Sequence, residues 1–222
     1  MIELVEARQW QPVVDQMPPV GKLVHLAMRQ DIVDQENIRG QLLRIRRRAY
    51  EDELSIQAEL IGCPGRSGQL SNGPILSALN QMSVEDAASI VNTYNYDLAS
   101  AVTKIRSDTP TANRNTYANR LGKWDRDRAK WKMAQVAEWS DGTARAMAQD
   151  VFYTHNGSMG SATLAPQAAQ CPVCQGWVNR GEVPITVAIN NPPPYHPFCP
   201  HGWDMNPDKV TKEQCQILWM GK

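Results

Sequence analysis

Five side chains that favour soft metal ions crowd into the last quarter of this chain: Cys171, Cys174, His196, Cys199 and His201. Their skeleton is C-x2-C, then 21 residues, then H-x2-C-x-H. Two thiolates three positions apart can face one ion when the backbone turns between them, and Pro172 suits such a turn. Zinc takes four N or S donors at tetrahedral corners, so two such knuckles can close a Cys3His site. Five donors compete for four places. His196 and Cys199 repeat the spacing of Cys171 and Cys174, which favours Cys171, Cys174, His196 and Cys199, with His201 as the alternative ligand. The expected cofactor is a structural Zn2+.

Other chemistries fit the cluster less well. A redox dithiol at Cys171 and Cys174 would leave the second knuckle unexplained, and its thioredoxin-like βαβ context is missing. A catalytic zinc needs an open position and a nearby base. Glu182 is the only carboxylate between the knuckles, and the H-x-E signature of zinc deaminases is absent. No catalytic residues are therefore expected, and the chain does not read as an enzyme. Cys63 and Cys215 read as ordinary cysteines, and neither His25 nor His155 has a partner in the pattern.

The elements that would position the cluster are mostly helical. After an irregular arm over residues 1–20, broken by Pro12, Pro18 and Pro19, apolar residues recur at helical spacing from about Val20 to Ile61. Gly40 is a possible division. The run 44–53 sets Arg44, Arg46, Arg47 and Arg48 before Glu51, Asp52 and Glu53, so Arg47–Glu51 and Arg48–Asp52 fall at i,i+4. This reads as a solvated face, or else as an Arg face docked on an acidic partner. Residues 62–76 are rich in Gly and Pro and read as a loop. A helix over 83–106 follows, with Ser83 and Asp86 resembling a capping box. Another spans about 113–152, with a possible break at Gly142. Within it, segment 120–132 mixes six basic residues with Trp124 and Trp131.

A Gly-rich, polar stretch near 155–168 is the expected boundary between a helical body (1–155) and a zinc-knuckle domain (168–222). In the latter, residues 183–189 alternate and are β-branched, so they read as a strand. A terminal helix is expected from Asn206-Pro207 to about Met220. The fold class is thus mainly α: an elongated helical body, a small C-terminal zinc-binding β-ribbon and a terminal helix.

Bulk composition narrows the partners. Lys+Arg and Asp+Glu are both 23, so the net charge is zero and no nucleic-acid coat is indicated. No apolar run spans a membrane, and the N-terminus lacks a secretory pattern. Seven Trp against two Phe suit a protein that works inside an assembly. Clustered cysteines without an export signal read as metal binding before disulfide.

The order of helical body, polar turn, C-P-x-C and H-P-x-C-x-H resembles the C-terminal part of phage head morphogenesis or minor capsid proteins, the group that includes the phage Mu F-like and SPP1 gp7-like proteins. Cys171, Pro172, Cys174, Pro194, His196, Pro197, Cys199 and His201 carry the resemblance. Phe198 and Pro200 depart from the usual Asn and Arg. Thr143-Ala144-Arg145-Ala146 matches a stretch that often precedes the knuckle in that family, with its acidic residue displaced to Asp141 or Glu138. The likeness covers roughly residues 130 to 205. It implies a virion structural protein, assembled in the host bacterial cytoplasm, that associates with portal, capsid or neck proteins in many symmetrically arranged copies. The zinc would hold a surface bearing Trp177, Tyr195 and Trp203 for docking. The alternative is a zinc-ribbon nucleic-acid-binding protein that uses the 120–132 helix, whose binding would weaken steeply with salt.

Overall fold

Three long stretches of this sequence carry no proline in their interiors, and each forms one unbroken helix. The computed structural model describes residues 35–63, 73–156, 159–164, 171–194, 199 and 201–211. The order is α1 (Gln35–Leu60), α2 (Gly73–Asp108), α3 (Arg114–Asn156), β1 (Gly160–Leu164), α4 (Pro172–Arg180), β2 (Glu182–Pro184), α5 (Ile185–Ile189) and β3 (Trp203–Pro207). The fold is mainly helical, with a three-stranded antiparallel sheet of order β2-β1-β3 near the C-terminus. The expected arm 1–20, the helix before residue 35 and the rest of the expected terminal helix beyond 211 lie outside the described residues.

Local chemistry sets the helix ends. At Gly62, with φ of 86°, the Gly62 amide donates to Glu59 O at 3.0 Å and the Cys63 amide to Ala58 O at 2.7 Å. These two bonds form a Schellman cap, which glycine enters without the steric penalty that a Cβ brings. Asn113 starts α3: its Oδ1 accepts from the Thr116 amide at 3.0 Å. Neither Gly40 nor Gly142 breaks its helix. A single glycine costs about 1 kcal/mol, which long helices with packed faces tolerate.

Four expectations are corrected. The loop 62–76 ends earlier, because α2 already begins at Gly73, with Pro74 in its first turn, where a missing N–H costs nothing. Ser83 is therefore buried inside α2 and caps nothing. Residues 183–189 are mostly helix: only Val183 and Pro184 extend β2, and Ile185–Ile189 form α5. The Asn190 and Asn191 side-chain Nδ2 groups donate back to Thr186 O and Val187 O, closing that short turn against the β-branched preference. Asn206 and Pro207 end β3 and start no helix. Pro207 is tolerated there because β3 is an edge strand.

The chain forms two units, 1–42 with 82–134 and 43–81 with 135–222. The division falls inside the long helices and not at the Gly-rich stretch 155–168, which instead contributes the central strand β1. In the first unit, Tyr94 OH donates to the buried Asp125 carboxylate at 2.5 Å, Trp124 packs on Tyr94, and Arg128 pairs with Asp97. The second unit has one core. It takes Tyr50, Leu54 and Ala58 from α1, and Ala144, Ala148 and Phe152 from α3, both at i,i+4. Ala162 and Leu164 of β1, Ile185 and Ala188 of α5, and Trp203 and Met205 of β3 complete it. These two apolar helix stripes bury the inner face of the sheet, and the ligand-bearing segments hang from that core.

Candidate metal centre

The first knuckle is the start of a helix. Cys171 is the N-cap of α4, with extended backbone (φ −75°, ψ 163°), and Pro172 occupies the first turn. The Cys174 amide donates to Cys171 Sγ at 3.4 Å, and the Gln175 amide to Cys171 O at 2.9 Å. The sulfur takes the place that a Ser or Asp oxygen holds in an ordinary cap. One turn of helix then brings both sulfurs together: Cys171 Sγ donates to Cys174 Sγ at 3.3 Å. A helix N-terminus also favours negative charge, which suits thiolates.

The second knuckle lies just ahead of β3. Cys199 Sγ is 3.6 Å from Cys174 Sγ and 3.5 Å from His201 Nδ1. Cys199 and His201 thus face the same point. Donor atoms of Cys174, Cys199 and His201 all lie within 4.8 Å of one another. Zinc with bonds of about 2.3 Å to sulfur and 2.0–2.1 Å to nitrogen would set tetrahedral S···S and S···N separations of about 3.8 and 3.6 Å. The observed spacings sit close to both, so the cluster, with Cys171 beside it, could hold a metal ion. Its ligands stand on a helix N-terminus and on the segment before β3, not on a β-ribbon. Of the five residues singled out by sequence, four come together: Cys171, Cys174, Cys199 and His201. His196 lies outside the described residues.

Electrostatics make the cluster depend on a cation. Burial, then the hydrogen bonds to Cys171 and Cys199, push the Cys174 thiol up to about 12. Without a positive ion this thiol keeps its proton. A divalent cation reverses that preference and displaces it. Cys171, Cys174 and Cys199 form no disulfide. Cys63, by contrast, is buried in the core and disulfide-bonded, against the expectation of an ordinary cysteine.

Both arms are fastened to the core. Trp177 of α4 meets Trp203 of β3 edge-on at 5.5 Å, and the Arg180 guanidinium lies 4.2 Å from the Trp177 ring. Trp203 is buried and its Nε1 donates to Asn191 O at 2.9 Å, so it cannot serve as a docking surface. Tyr195 lies outside the described residues. Gln149 Nε2 of α3 donates to Trp203 O at 3.2 Å and to Glu53 Oε1 of α1 at 2.8 Å. Glu53 also accepts from Gln57 at 2.6 Å and from Arg145 at 3.1 Å, while Arg145 pairs with Asp141 at 2.7 Å. Sequence reading marked Arg145 and Asp141 but missed Glu53 and Gln149. Their pairing spans 96 positions, and only the i,i+4 polar pairs Glu53–Gln57 and Arg145–Gln149 on otherwise apolar faces hinted at it.

No protein-family model matches this chain, and comparison with curated proteins and with solved structures finds no match either.

Proposed function

We propose that this chain is a structural protein of a phage head, a minor capsid or head-morphogenesis component near the portal or neck, stapled by one zinc ion. The observation that carries the metal is the convergence of Cys174, Cys199 and His201 within 4.8 Å of one another, with Cys171 Sγ 3.3 Å from Cys174 Sγ. Three thiols and an imidazole are soft donors that suit zinc, and with Cys171 as the fourth ligand the site is closed and structural. The virion setting rests on the sequence resemblance in the knuckles and at Thr143-Ala144-Arg145-Ala146. The Arg145 guanidinium, held between Asp141 and Glu53, has a structural task consistent with that resemblance. The nucleic-acid alternative is weaker: within segment 120–132, Asp97 already neutralises Arg128 and Tyr94 covers Trp124.

Two measurements test this reading. Protein purified without chelators should carry about one zinc per chain. Cys174→Ser and His201→Ala should lose it, whereas His196→Ala should retain it. Metal-free protein from such a preparation would end the zinc assignment. Mass spectrometry of purified particles from cells that make the protein should find it in the head fraction, and its absence there would end the virion assignment.

A further inference from the structure

The arginine run of α1 divides by face. Arg46 is buried, while Arg44, Arg47 and Arg48, at i, i+3 and i+4, are exposed on one side. The Arg48 side chain is 85% exposed even with Asp52 at 3.6 Å. An exposed pair at that distance contributes little, and with Glu51 and Asp52 one turn further on, the three arginines still outnumber the two carboxylates. The same unit contains a cleft of about 630 Å³ with the opposite character. Glu53, Glu138, Asp141 and Asp204 line it against the single guanidinium of Arg145, which leaves a formal charge of −3. Ile56 and Leu60, two large apolar side chains that remain exposed, line it as well.

We propose that the cleft receives the Arg44, Arg47 and Arg48 face of a second copy of this chain. Carboxylates at Glu138 and Asp204 meet the guanidinium heads, and Ile56 and Leu60 cover their aliphatic stems. The occupant comes from another copy because α1 is unbroken through both features, from Gln35 to Leu60. A continuous helix cannot swing its own arginine face into a cleft that it helps to wall. Two copies that exchange these contacts reciprocally close as a two-fold pair, whereas one-way contacts run on as a ring or filament; sedimentation separates the two by size. This inference does not depend on the virion reading: it concerns self-association of the isolated chain.

The test uses the full chain, zinc included, in sedimentation velocity across a concentration series. Wild type should associate at about 0.05 M salt and dissociate at about 0.5 M, since screening shortens the reach of exposed charges. Arg47→Glu with Arg48→Glu, and separately Glu138→Lys with Asp204→Lys, should each weaken association by about tenfold or more. All four side chains are exposed, so circular dichroism and zinc content should stay unchanged. Mixing the two double variants should restore association, because each face then meets a cleft of opposite sign in the alternating partner. Wild type that stays monomeric at low salt overturns the proposal. So does association that survives either double variant, or a mixture that stays dissociated.

Discussion

Cys174 shows how burial sets up a requirement at the scale of one residue. A thiol held high by desolvation and by two neighbouring sulfurs gives up its proton only to a cation. Zinc binding must therefore displace protons from as many as three thiols, and apparent affinity should fall as pH is lowered. Titration with a chromophoric zinc competitor at several pH values checks this; affinity that is flat with pH would contradict it. The tyrosines supply the alkaline counterpart. Burial pushes Tyr50 up to about 12, and burial with the nearby Glu53 charge raises Tyr153 further. In the unfolded chain these hydroxyls ionise from about pH 10. Above that pH the unfolded state holds fewer protons than the native state, so stability falls as pH rises towards 12. The loss from Tyr50 alone is on the order of 2–3 kcal/mol. Denaturant midpoints measured across that range should drop for wild type and drop less for Tyr50→Phe.

At the scale of elements, the sheet depends on one close approach. Gly160 has φ of 117°, and a Cβ there would lie 2.5 Å from Asn206 O. Gly160→Ala should therefore cost about 1–3 kcal/mol and loosen the β1–β3 pairing, seen as faster amide exchange from Ser161 to Leu164. Asn113→Ala should cost about 1 kcal/mol through the lost α3 cap. What the sequence made legible at this scale follows from local physics. The Gly62 stop, the Asn113 start and the Arg48–Asp52 pair all depend on residues within five positions of one another. The helix at 185–189 was not legible, because Ile, Thr and Val favour a strand until Asn190 and Asn191 cap the turn and Ile185 and Ala188 are buried. The strand at 160–164 was hidden for the converse reason. Gly, Ser and Ala carry little β signal, and only pairing on both sides makes them a strand. In the cluster, residue types sufficed to pick out the donors. The repeated spacing favours His196, which lies outside the described residues, while the alternative His201 is the imidazole seen beside Cys199.

Across the whole molecule, helix and metal are separable. Helices of 26, 36 and 43 residues dominate the described chain, and none of the three supplies a donor to the cluster. Chelating the metal should leave most of the far-ultraviolet helical signal in place. It should also change tryptophan fluorescence, because Trp177 and Trp203 bridge the two arms. Loss of the helical signal on chelation would show that the ion holds more than its own segment. Sheet order carries a consequence for how the chain is made. The central strand is β1, yet its partner β3 ends at Pro207. A ribosome therefore completes α3 and β1 well before the strand that covers the open edge of β1, or the second pair of donors, has emerged. For that interval the nascent chain presents a bare strand edge and a lone pair of thiols, and release before Cys199 would leave both exposed to aggregation and oxidation.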